Sequence, residues 1–136
     1  MAYEMMGIDI TARSSGDTSA YQYGCMILST TNHNDGCVLT TDENQLAQGI
    51  WQNNSTRAEN GKLRIVGVSK AIVGVPGAAA VVRGDRLAAS TQTGHLELFD
   101  VSNGQTALAI ALEGLSTGST GIISVFVMPS PGSTST

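Results

Sequence analysis

The chain reads as a single, mainly β domain: a compact β-barrel or β-sandwich-like fold with at most short helical turns. Three observations lead there. Apolar segments of four to eight residues recur at short intervals with Gly, Asn, Asp and Ser clusters between them, the spacing of strands joined by turns. Charged residues make up only 13% of the chain, so the Glu, Lys and Arg that sustain exposed helices are scarce. Glycine is abundant at 16 residues, which suits tight turns. A length of 136 residues gives one core and one domain, assigned to residues 1–128, with 129–136 as a C-terminal tail.

In chain order, residues 1–16 form an extended arm or first strand, with Ile8 and Ile10 on one face of Gly7 to Ala12 and a stop at Ser14 to Asp17. Tyr21 to Ser29 is an aromatic and apolar strand, and the loop Thr30 to Gly36 leads to a partner strand at Cys37 to Thr41. Asp42 to Gln48 suits one helical turn with Asp42 as N-cap. A short strand, Gly49 to Gln52, precedes a polar loop, Asn53 to Gly61. Lys62 to Val73 then starts with alternation and turns apolar on both faces, so it is central in a closed sheet or covered by a partner. Pro76 ends it, because a proline cannot donate to a central ladder.

Ala78 to Val82 leads into a turn at Arg83-Gly84-Asp85, followed by short strands at Arg86 to Ala89 and His95 to Phe99 and a turn at Asp100 to Gly104. Thr106 to Leu112 has helix-permissive composition, yet seven residues between glycine-bearing turns favour a buried strand. Ile122 to Val127 is the strongest strand signal. The tail Pro129 to Thr136 lacks the apolar content to bury itself.

Composition excludes several classes. The seven basic residues are scattered from Arg13 to Arg86, and a net charge of −4 argues against nucleic acid as a partner. No segment approaches the roughly 18 to 20 apolar residues of a membrane helix, so no membrane partner is expected. The start Met1 to Glu4 has neither the basic flank nor the apolar core of a signal peptide, which points to synthesis in a cytoplasm and to free thiols at Cys25 and Cys37.

No catalytic, metal-binding or cofactor-binding residues are assigned. His33 and His95 lack a Ser, Cys or carboxylate at triad spacing, and Asp42 and Glu43 are adjacent, so an extended backbone points them apart. Arg83-Gly84-Asp85 spells a tripeptide that adhesion receptors bind, but its composition is that of a β-turn. The sequons in Asn53-Asn54-Ser55-Thr56 count as loop composition. Trp51, the lone tryptophan, is first of all a core residue and secondly an interface candidate. Val66, Val68 and Ile72 complete the candidate interface, being the surplus apolar positions of the long strand.

The order of motifs resembles the tailed-phage capsid cement, or head decoration, proteins. The start Met1 to Glu4 is MAYE-like, and Ser19-Ala20-Tyr21-Gln22-Tyr23 corresponds to an aromatic-polar strand. Gly49-Ile50-Trp51-Gln52-Asn53 matches a G-apolar-apolar-Q-N element, with Trp51 where leucine is commoner, and Gly67-Val68-Ser69-Lys70 matches a strand ending. Gly84-Asp85-Arg86-Leu87, Ala109 to Glu113 and the closing strand Ile122 to Val127 follow in order, while the loops Thr30 to Gly36 and Val73 to Ala80 are enlarged. The resemblance implies a non-enzymatic protein on the outer capsid surface of the virion, with no cofactor. Its implied partners are the major capsid protein and itself, as a homotrimer in preference to a dimer. Two other roles stay open on the residues alone: a β-rich tail or receptor-binding component, and a small-ligand-binding β-barrel with its pocket between Lys62 to Val73 and Ile122 to Val127.

Overall fold

The computed structural model describes residues 7–30, 34–54 and 60–128. Its strands are β1 (Gly7–Ser14), β2 (Cys25–Leu28), β3 (Gly36–Leu39), β4 (Gly49–Trp51), β5 (Asn60–Val73), β6 (Arg86–Ala89), β7 (Leu96–Leu98), β8 (Ala107–Ala111) and β9 (Gly121–Val127). One short 3-10 helix, Val101–Asn103, lies where the sequence predicts a turn. The protein is a β domain, as its composition predicts.

All nine strands belong to one sheet, in the order β1-β3-β2-β4-β5-β7-β6-β8-β9, with additional pairings β1–β5 and β5–β9. Those two extra pairings close the ladder into two circuits that share β5. β5 is long enough to serve both: Asn60 to Val66 pairs with β1, and Gly67 to Val73 pairs with β9. The change of partner falls at Gly67, which faces Gly7 on one side and Val127 on the other and has φ 112°. Glycine fits that angle at no steric cost. Just before it, the register slips between Ile8 and Asp9, leaving Ile65 of β5 as the extra residue of a bulge.

Each circuit has its own apolar filling. The first takes one buried side chain from each of its strands: Ala12, Met26, Cys37, Trp51 and Leu63. The second holds Ala71, Val73, Leu87, Ala89, Leu96, Leu108, Ala111, Val125 and Val127 among others. β2 and β4 are the partition between them. Met26 and Trp51 point into the first filling, while their chain neighbours Cys25 and Ile50 join the second. Strand alternation makes this possible, and it explains why Gly49, Ile50 and Trp51 are all buried.

Two predicted elements differ. Tyr21 to Ser29 becomes a strand only from Cys25, because Tyr21 to Gly24 is a turn closed by Gly24 N–H donating to Tyr21 O at 2.7 Å, with Tyr23 at φ 70°. Asp42 to Gln48 forms no helix. Asp42 Oδ1 accepts from Asn44 N–H at 2.9 Å, the contact expected of an N-cap, and Gln45 N–H donates to Asp42 O at 3.2 Å, but the segment stops at this turn and does not continue as a helix. The predicted MAYE-like start, His33, the sequon residues Ser55 and Thr56 and the tail 129–136 lie outside the described residues.

Candidate interaction surface

The surplus apolar positions of β5 are explained by its central place. Along its second half Gly67, Ser69, Ala71 and Val73 are buried, while Val68, Lys70 and Ile72 turn outward. The outward positions of β9 are matched to them in register: Val68 with Phe126, Lys70 with Ser124 and Ile72 with Ile122. The first row runs on through Ile110 of β8 to Arg86 of β6. The outer face of β5, β9 and β8 thus carries two apolar rows with Lys70 between them. Ile122 is 55% exposed and Met128, just beyond β9, 46%. Arg86 closes one end, its guanidinium 4.7 Å from the centre of the Phe99 ring. Glu113 borders the face; its carboxylate accepts the Ser124 N–H at 2.6 Å, and that bond, helped by Lys70, holds it below the ordinary glutamate range.

Of the four residues predicted for an interface, Val68 and Ile72 share this face. Val66 is 37% exposed but lies across the bulge, opposite Ile8, which is 59% exposed. Trp51 must be withdrawn. It is fully buried in the first circuit, its Nε1–H donates to Thr18 Oγ1 at 3.1 Å, and its ring lies so close to Gly61 that a Cβ there would come within 2.6 Å of it. Phe126, Ile122, Ile110 and Arg86 were missed, since only the long-range register brings them onto one face with Val68 and Ile72.

An ion pair that the sequence did not suggest pins the junction. Arg64 Nε donates to Asp9 Oδ1 at 2.6 Å and Nη2 to Oδ2 at 3.1 Å, while Nη1 reaches the Val68 carbonyl at 2.6 Å. The bidentate contact with the guanidinium holds the Asp9 carboxyl below its usual value.

The other sequence candidates do not converge. Asp85 of the Arg83-Gly84-Asp85 turn accepts from Val82 N–H at 2.9 Å through Oδ2, and Gly84 has φ 99°, the geometry of a structural turn. His95 turns Nδ1 to the Gly74 carbonyl at 2.8 Å. Cys25 lies near it, with Sγ 2.8 Å from Thr40 Oγ1, but burial pushes its thiol up to about 12, and a thiol that stays protonated is a poor nucleophile. Cys37 is likewise free and buried, and desolvation followed by the nearby Asp35 charge raises it to about 11. Among the described residues no group of three His, Cys, Asp or Glu is placed to hold a metal ion. The two long strands leave no gap between them for a pocket, since β5 and β9 are direct antiparallel neighbours from Gly67↔Val127 to Val73↔Gly121, and their inward residues Ala71, Val73, Val125 and Val127 are buried in the second filling. An open groove of about 440 Å³ lies elsewhere, beside β1.

No protein-family profile matches the sequence, and no curated protein sequence does. The fold does have a solved counterpart. The chain is similar to the N base of the head fiber gp8.5 of bacteriophage phi29, with a TM-score of 0.59 over 90% of this chain and 95% of that one, at 16% sequence identity. At that identity the two share a fold.

Proposed function

We propose that this protein is a non-enzymatic structural component of a phage head, which binds the outer surface of the assembled shell and stabilises it as a cement or decoration protein. The observation that carries this proposal is the likeness to a head-fiber base along nearly the full length of both chains. The ordered motif resemblance, from Gly49-Ile50-Trp51-Gln52-Asn53 to Ile122 to Val127, points the same way independently. The partners are the major capsid protein and further copies of the chain, with a trimer preferred.

The face of β5, β9 and β8 suits such a role. Val68, Ile72, Phe126 and Ile122 offer apolar area, and Lys70 between the rows and Arg86 at one end add positive charge in a chain of net charge −4. Each contact of this size contributes only a few kcal/mol after the cost of association, about what a lattice of many copies needs to act collectively. Quantitative mass spectrometry of purified virions tests the assignment. The expected result is a copy number of the same order as the major capsid protein. Absence from virions, or presence only in the few copies of a tail component, would overturn it.

A further inference from the structure

The chain holds two Asn-Gly pairs, Asn60-Gly61 and Asn103-Gly104. Such a pair carries its own chemistry. With no Cβ in the way, the main-chain nitrogen of the glycine can swing onto the side-chain amide carbon of the asparagine and close a five-membered ring. Closure needs rotation about the asparagine Cα–C bond, so the fold decides which pair can react.

Asn60-Gly61 is held in the ladder. Arg13 pairs with Asn60 and Ala12 with Gly61 along β1. Next to them, Lys62 N–H donates to Asn53 Oδ1 at 2.7 Å and its carbonyl accepts the Gln52 N–H at 2.9 Å. Rotation at Asn60 would pull the start of β5 away from these contacts. Asn103-Gly104 lies instead in the connection from β7 to β8. Asn103 ends the 3-10 turn Val101–Asn103, both residues of the pair are exposed, and Gly104 has φ 72°. The turn before the pair is closed by Asn103 N–H to Asp100 O at 3.2 Å, and runs this short open at little cost.

The same connection is latched to the sheet by a buried amide. Gln105 Nε2 donates to Glu97 Oε1 at 2.6 Å and to Ala89 O at 3.2 Å, and its Oε1 accepts the Asp100 N–H at 2.6 Å. Asp100 and Gln105 thus anchor the two ends of the stretch that contains the pair. Carboxylates already crowd it: burial, and then the charges of Glu43 and Asp100, push the Glu97 carboxyl above its ordinary range against the Gln105 bond.

We propose that Asn103-Gly104 is a site of spontaneous modification, where the exposed amide becomes a carboxylate, and that the isoaspartate product loosens the Gln105 latch. The Gly104 nitrogen gives its proton to a solvent base and bonds to Asn103 Cγ, the Cγ–Nδ2 bond breaks, and Nδ2 leaves as ammonia. Water then opens the ring and Gly104 regains its N–H. Opening at Cγ leaves aspartate in the ordinary main chain. Opening at the main-chain carbonyl leaves isoaspartate, with an extra carbon in the backbone between the two anchors.

Incubation of the folded protein in mildly alkaline buffer, then peptide mapping with isoaspartate-specific methylation, tests this. The Asn103 peptide should gain the mass of an amide-to-acid change, as a mixture of both products, at least about ten times faster than the Asn60 peptide. In guanidinium-unfolded protein the two should convert at similar rates, which separates the fold's effect from that of local sequence. Asn103→Gln, whose longer side chain would have to close a larger ring, should remove the acidic species seen on ion exchange. The isoaspartate form, isolated by ion exchange, should melt below Asn103→Asp, which should melt close to the wild type. Equal conversion of Asn60 and Asn103 in the folded protein, or an Asn103 amide that survives folded but not unfolded incubation, would overturn the site. An isoaspartate form that melts with the wild type would overturn the loosening of the latch.

Discussion

Replacing Trp51 separates the core role from the interface role most sharply. Its ring is fully buried among Met26, Cys37, Leu63 and Ala12, and its Nε1–H is bonded to Thr18. Trp51→Ala leaves a cavity that the surrounding strands of a closed circuit cannot collapse into, and truncations of this kind cost about 3–5 kcal/mol. Against a total stability of roughly 5–15 kcal/mol, that is a large fraction. For a chain of this size it corresponds to a fall in Tm of about 10–20 °C. Trp51→Phe retains most of the apolar volume but gives up the indole edge and the Thr18 bond, and should cost about 1–3 kcal/mol. Thermal and urea melts followed by circular dichroism measure both. Well below its lowered Tm, Trp51→Phe should bind heads as the wild-type protein does. A Trp51→Phe variant that melts with the wild type yet no longer binds heads would refute the packing argument and return Trp51 to an interface.

Three further outcomes follow from the same geometry. The Asp9–Arg64 pair lowers the folded-state pKa of Asp9, so its contribution is present above the ordinary carboxylate value of 3.8 and is lost as pH falls through the lower folded value. The difference in Tm between wild type and Asp9→Asn, worth about 1 kcal/mol after solvent screening, should therefore hold at neutral pH and shrink in acid; a gap that widens in acid would contradict the assignment. Cys25 and Cys37, raised to about 12 and about 11, should resist alkylation by iodoacetamide at pH 8 in the native protein, and both should react after denaturation, as mass shifts report. Val68→Asp puts a carboxylate into the first apolar row of the outer face, beside Phe126, where it stays partly solvated in the free protein; it should weaken head binding about tenfold or more with little change in Tm, and unimpaired binding would exclude that face.

Local patterns carried much of the fold. Lys62 to Val73 was legible as a strand apolar on both faces, and it is the strand both circuits share. Ile122 to Val127 and Arg86 to Ala89 were legible as strands, and the ambiguous Thr106 to Leu112 resolved to a strand at Ala107–Ala111. Tyr21 to Gly24 was not, because its aromatic composition says strand while long-range bonds impose a turn: Tyr23 N–H donates to the Trp51 carbonyl at 2.7 Å and its own carbonyl accepts from Ile72 at 3.0 Å. The candidate interaction face was half visible. Val68 and Ile72 stand out along one strand, but Phe126, Ile110 and Arg86 join them only through register between strands far apart in sequence.

The central claim is that the chain binds and strengthens a phage head. Heads assembled without it, then heated with and without added purified protein, test that claim most directly. The account predicts saturable binding to the outside of the heads and survival to a higher temperature once they are loaded. Heads that take up no protein, or that rupture at the same temperature loaded and bare, would contradict it.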